Sequence, residues 1–560
     1  MTSKRPGIRS ITLVLGCMGL LGAWMTLFSP RFGSPSKRRL EAEARWPGEL
    51  RLVSLRQDGP SLEGGVGWIN SGPISLADLR GKIVFLDFWT YCCINCHHIL
   101  PTLAKLEAKY KNELVVIGVH SAKFDAERDT ENIRRKVAEY RIKHPVVNDA
   151  NMIIWNRFGV RSWPTLVAID PDGEYLGSAS GEVPFEELDR IVGELVIRYK
   201  DRLNRKPLEF PMEPPPGDPG PLLFPGKVLA DPSGNRLFIS DTGHNRIVQT
   251  DLDGGHPVVI GDGQEGLADG DFATARFNRP QGMCLVGETL YVADTENHAI
   301  RGVDLKARRV STVSGTGSQS LRSPLVRYSG PARSSALSSP WDLIQLPGSP
   351  SIYIAMAGPH QIWKYDPTDE TIGVWAGSGH ENIQDGDLVT ARFAQPSGLA
   401  TDGDNLFVAD SEVSGVRIIR DVKSGEPMVG RIVGEGLFDF GDQDGVGPEV
   451  RLQHCLGLAY ASGKLYIADT YNNKIKVCDP TTKEVKTLAG TGAAGDSDDP
   501  PSFYQPGGLS VAGNRLYVAD TNNHKIRVID LETGKVSTLK TPGLAAPGSD
   551  AVPEPPASGP

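Results

Sequence analysis

The residues best suited to covalent chemistry are Cys93 and Cys96, separated by Ile94 and Asn95. An apolar run, Val84 to Trp89, leads into them, and Ile99–Tyr110 follows with helical periodicity, so the pair falls where a strand becomes a helix. Free N–H groups and the positive end of the helix dipole stabilise a thiolate there. Cys93 can then attack a disulfide, and Cys96, one turn along, can resolve the mixed intermediate. Two other chemistries fit the same residues. A zinc half-site needs a second ligand pair and has only His97 and His98 nearby. Cys93-x-x-Cys96-His97 also fits a c-type haem attachment sequence. The strand-to-helix placement favours redox use over both. Cys92 adds a third thiol; a vicinal Cys92–Cys93 bond would be strained, which leaves Cys93–Cys96 as the working pair and Cys92 to divert or tune it. His97 and His98 read either as cations that raise thiolate content or as exposed helix residues.

The elements around the dithiol alternate. Strand-like runs at Ile83–Phe88, Val115–Val119 and Leu166–Ile169 are separated by helical stretches at Leu100–Tyr110 and Glu131–Tyr140, the signature of an α/β domain over about residues 46–200. Residues 75–195 closely resemble the thioredoxin fold, in particular its membrane-anchored extracytoplasmic reductases. Asp87 lies six residues before Cys93, Trp89 takes the aromatic position of F-W-x-x-W-C, Pro101 is five after Cys96, and Trp163-Pro164-Thr165 matches the cis-proline loop. The resemblance implies Cys93 as nucleophile, Cys96 as resolving thiol, Asp87 as proton relay and Pro164 as the contact to the substrate backbone; Cys92, Trp89 and His97 are the candidates for modulating the pair. Cys92 stands where the family has tryptophan, and Ile94-Asn95 is neither Gly-Pro nor Pro-His, so no reduction potential carries over.

Beyond a Pro-rich linker at 201–223, residues 224–540 repeat themselves. Arg236–Asp241, Thr289–Asp294, Asn405–Asp410, Lys464–Asp469 and Arg515–Asp520 are near copies, and Ser351–Met356 is a sixth that has lost its Asp. A period of about 50–60 residues holding several short strands indicates a propeller, and six copies indicate six blades. The pattern resembles the NHL repeat. Asp294, Asn297 and His298 and their counterparts read as turn-building residues. Arg276, Arg392 and Arg451 read as structural pairings, and Cys284, Cys455 and Cys478 lack zinc spacing, so no metal is expected.

Composition sets the outer limits. The chain has 560 residues, 63 of them Gly and 42 Pro, and a formal charge of −9. The body is acidic, which argues against nucleic-acid binding. Ile11–Phe28 is apolar, uncharged and flanked by basic residues, and reads as a signal anchor or short transmembrane helix within residues 1–45. Val14–Cys17 also resembles a lipoprotein box, and the basic residues after the run mildly favour a cytoplasmic body. Residues 541–560 read as a disordered tail.

The fold class expected is therefore multidomain: an anchor, a thioredoxin-like α/β domain and an all-β six-bladed NHL propeller. The expected function is a membrane-anchored, extracytoplasmic thiol–disulfide oxidoreductase that needs no cofactor beyond its dithiol, acts on a protein thiol or disulfide, and recruits a protein partner through the propeller. The alternatives are a non-catalytic scaffold with the propeller as binding platform, and a metal-dependent propeller enzyme.

Overall fold

The computed structural model describes residues 60–214, 220–321 and 327–548. The apolar run 11–28 lies outside them; among the described residues no helix is long and apolar enough to cross a membrane. The first domain is a six-stranded sheet in the order β1-β4-β3-β2-β5-β6. Its strands are β1 (Gly67–Ile69), β2 (Ile83–Trp89), β3 (Leu114–His120), β4 (Val146–Asn148), β5 (Thr165–Ile169) and β6 (Tyr175–Ser180). The helices are α1 (Ile94–Lys109), α2 (Thr130–Glu139), α3 (Ile153–Phe158) and α4 (Phe185–Arg198). Every residue of β2 and β3 is buried, as a strand covered on both faces requires. Phe85 and Val116 pack with Leu103 of α1 and Leu188 of α4 on one face; Leu86 and Phe88 meet Ile154 and Phe158 of α3 on the other. Helix α1 begins at Ile94, five residues before the apolar periodicity starts, with Cys93 as its N-cap and Pro101 inside it.

Six further sheets of four or five strands follow, blades I to VI, between Val228 and Thr538. The innermost strands of successive blades touch around a ring that closes when blade VI meets blade I. The repeated turn residue builds that ring. Asn245, His298, His360, Ser414, Asn473 and His524 are all left-handed, with φ between 46° and 57°. Each side chain accepts, at 2.9 to 3.1 Å, the backbone N–H of a residue opening the next blade: Arg279, Ser339, Gln395, His454, Gln505 and, across the closure, Phe224.

The repeated Asp holds its own blade. Asp294, Asp410, Asp469 and Asp520 each accept a backbone N–H sixteen residues upstream. Their second oxygens face a buried cation seven residues on: Arg301 at 2.9 Å, Arg417 at 3.3 Å, Lys476 at 3.9 Å and Arg527 at 3.1 Å. In blade III Asp and Arg are lost together: Met356 and Trp363 take their places, and Trp363 donates to Gln361. The Arg276 series is peripheral by comparison, Arg276 pairing with half-buried Asp262.

Two expectations about connecting segments change. The thioredoxin-like domain and the propeller form one compact unit rather than two bodies on a spacer. Residues 204–213 of the linker are tied down, Lys82 Nζ donating to the carbonyls of Asn204 and Lys206, and Glu213 N–H to Asn70. Within the expected disordered tail, residues 541–548 are ordered against blade I, where Arg246 donates to the Ala545 carbonyl at 2.9 Å. Hydrophobic packing of Leu539 and Leu544 explains it.

Candidate functional site

Cys93 caps α1 and is the one partly exposed thiol among the six described cysteines, all of them free. Its carbonyl accepts from the Cys96 and His97 N–H groups. Cys96 is fully buried, and its thiol is held well above its ordinary pKa by that burial and by a hydrogen bond to Cys93. Asp87, also fully buried, has neither carboxylate oxygen in a hydrogen bond. Burial pushes it up to about 7, against the pull of His144 and with reinforcement from Glu107. The Trp163–Pro164 peptide is cis, and the Pro164 carbonyl accepts from Gly181 at 2.8 Å. Trp163 lies in the same apolar cluster as Cys93, Cys96 and Trp89. Trp89 is buried edge-on to His120 at 5.0 Å.

The modulating residues sit differently from either expectation. His97 and His98 are both buried rather than exposed. His97 bonds to the Tyr91 carbonyl at 3.0 Å and stacks on Tyr140; burial and Arg279 push it down to about 3, so it is neutral and adds no positive charge. His98 lies between Glu182 and Ser339, each at 2.7 Å. Cys92 is buried against Glu127, whose carboxylate accepts the Cys92 N–H at 2.8 Å and whose charge, after burial itself, raises the Cys92 thiol further.

The cause of this burial is the propeller, which covers the dithiol face. The residues opening blades II to VI, already engaged by the inter-blade ring through their N–H groups, send their side chains to the thioredoxin-like domain. Arg279 pairs with Glu139 and stacks on Tyr140, Ser339 bonds His98, His454 packs on Phe124, and Gln505 donates to the Tyr91 hydroxyl. Gln395 reaches furthest. Its carbonyl accepts the Ile94 N–H and its amide donates to the Cys92 carbonyl, both at 2.8 Å, clamping the two peptides that flank Cys93. Lys123 forms a buried pair with Glu412 beside it. Sequence reading missed this set, although its signal was present: one position per blade, just before the repeated proline (Cys455 in blade V), varies among Arg279, Ser339, Gln395, His454 and Gln505 while the frame around it repeats.

Comparison with known proteins agrees with both halves. A thioredoxin-like family model matches residues 81–175, and the NHL repeat model matches 277–302 and 503–529. The chain is 45% identical over 551 residues to the chloroplastic protein SUPPRESSOR OF QUENCHING 1 of Arabidopsis thaliana, covering 92% of this chain and 51%, about half, of that protein. It is 44% identical over 525 residues to NHL repeat-containing protein 2 of Bos taurus, covering 86% and 71%. The thiol-disulfide oxidoreductase ResA of Bacillus anthracis is 35% identical over 116 residues, covering 21% and 65%.

Proposed function

The chain belongs to the NHL repeat-containing protein 2 family, and from that premise we propose that it is a thiol–disulfide oxidoreductase whose propeller forms one wall of the active site. The observation that carries the reading is the asymmetry of the pair: Cys93 is reachable at the helix N-cap, whereas Cys96 is buried behind it and hydrogen-bonded to it. The Cys93 thiolate attacks a substrate disulfide. Cys96, deprotonated by Asp87, displaces the substrate from the mixed disulfide and closes Cys93–Cys96. The dithiol carries both electrons, so no bound cofactor is needed. Pro164, beside Trp163, offers its loop to the substrate backbone, and Cys92, held protonated, stays out of the exchange. The substrate is a protein thiol or disulfide, and a protein partner docks on the propeller surface. The uncharged run 11–28 suits a membrane anchor, and the likeness to extracytoplasmic reductases favours a body on that side, against the mild bias of the basic residues after the run. Cys93→Ser should abolish reduction of a disulfide substrate; full activity in that variant would refute the assignment.

One observation favours a second reading. Gln395 and the neighbouring loops cover the dithiol as a tight interface would, which suits a scaffold whose thioredoxin-like domain only packs. A scaffold predicts partner capture that survives loss of both Cys93 and Cys96.

A further inference from the structure

Asp87 is a buried acid that must exchange its proton with something. Two more buried polar atoms without a partner lie near it, Trp89 Nε1 and His144 Nε2. Both of these atoms lie against Gly118. The sheet register sets Gly118 beside Asp87, on the neighbouring strand. A side chain begun at Gly118 would stand 3.0 Å from Trp89 Nε1 and 3.5 Å from His144 Nε2. Glycine is what fits there: a side chain would press on both groups and on the Val146 methyl, also 3.0 Å away. Buried polar groups are ordinarily paired, so a cluster of orphans asks for a function. The other ring nitrogen, His144 Nδ1, is 3.2 Å from Glu107 Oε2, and this side faces outward. Both residues line a groove of about 530 Å³ between α1 and the propeller. The Glu107 side chain is 27% exposed, against 4% for His144.

We propose that His144 and Glu107 form the proton path joining Asp87 to solvent, so that His144 is a relay rather than a core histidine. The proposal rests on the reading of Cys93, Cys96 and Asp87 as a redox centre. With Nδ1–H donated to the Glu107 carboxylate, Nε2 is the accepting atom, set against Gly118 on the strand beside Asp87. In the resolving step the Cys96 S–H gives its proton to the Asp87 carboxylate. The Cys96 sulfur then attacks the Cys93 sulfur of the mixed disulfide; the new S–S bond forms as the bond to the substrate breaks. The substrate leaves as a thiolate and takes a proton from solvent. Asp87 passes its proton to Nε2, Nδ1 gives up its own to Glu107, and Glu107 releases it into the groove. When the dithiol is regenerated the same path runs inward and restores the tautomer. The other charged groups of this groove are Glu139 with its partner Arg279, Arg141, Lys143, Glu265 and Glu296.

The test uses the full chain with Cys93 converted to its mixed disulfide with thionitrobenzoate, and follows release of the coloured thiolate against pH. Cys96→Ser comes first: release at the rate of the unaltered protein would refute the dithiol reading itself, independently of His144. With that reading intact, His144→Gln should slow release roughly tenfold near neutral pH, a fraction of what general base catalysis supplies, and alter the pH profile. His144→Ala should be slowed likewise and recover when imidazole is added, because the groove admits it. An unchanged rate and profile would overturn the relay. So would slowing that is uniform across pH and indifferent to imidazole, the mark of a structural role. If His144→Ala does not fold, His144→Gln and Glu107→Gln decide: both must shift the profile, or the relay is refuted.

Discussion

Gln395 and Cys92, 303 residues apart in sequence, are joined by a hydrogen bond in which the Gln395 amide donates to the Cys92 carbonyl at 2.8 Å. The same side chain accepts the N–H of Ile94, the first residue of α1. That N–H would otherwise be free to stabilise a thiolate at the helix N-terminus. The propeller thus competes with the Cys93 sulfur for a donor. Gln395→Leu should release the donor and speed alkylation of Cys93 by iodoacetamide, while leaving the Cys92 carbonyl unpaired at a cost of about 1–3 kcal/mol. Gln395→Glu keeps an acceptor and adds a negative charge beside Cys93, so alkylation should slow. Equal rates in all three proteins would contradict the competition.

The Asp87 carboxyl holds its proton to about pH 7 in the folded chain and releases it near 3.8 when unfolded. Its folded pKa is raised, so the stability it contributes is complete below pH 3.8 and lost as pH climbs to about 7. The loss is about 4 kcal/mol at most. Asp87→Asn should be more stable than the unaltered protein at pH 8, by an amount that shrinks toward pH 4. Urea midpoints at the two pH values measure this; an identical difference at both would contradict it.

Blade III shows how a buried ion pair can be replaced as a unit. Asp294 and Arg301 in blade II are both inaccessible and 2.9 Å apart. Asp294→Met alone takes the buried carboxylate from Arg301, which keeps half-exposed Asp269 at 2.8 Å, and should cost about 1–3 kcal/mol. Asp294→Met with Arg301→Trp reproduces Met356 and Trp363 of blade III and should recover most of that loss in denaturant titrations. A double variant as unstable as the sum of its singles would contradict the pairing.

His97 and His120 are both fully buried and held down to about 3 by that burial. NMR of labelled histidine should show neither imidazole titrating between pH 8 and 5. A midpoint near 6.5 for His97 would mean that the propeller does not cover α1 as described.

Local spacing made much of this legible. The dithiol, Asp87, Trp89 and Pro164 sit within short stretches whose strand, turn and helix signals fix their mutual positions, and the repeats spelled out the blades. The Asp–cation pairing was also written in the repeats, as a cation seven residues after Asp294, Asp410, Asp469 and Asp520 and the joint loss of both in blade III. What could not be read was the docking. The partners of Cys92, Ile94 and His98 lie some 240 to 300 residues away, on loops that look alike until the ring of blades sets their order. Burial of His97 and His98 follows from that docking and from nothing in their own helix.

The central claim is that Cys93 and Cys96 cycle. Equilibrating the full chain in glutathione or dithiothreitol buffers of graded potential, then tagging free thiols by mass, tests it most directly. The account predicts that Cys93 and Cys96 lose their tags together and reversibly while Cys92, Cys284, Cys455 and Cys478 keep theirs. A pair that remains tagged in every buffer would contradict it and leave the propeller-centred scaffold as the reading.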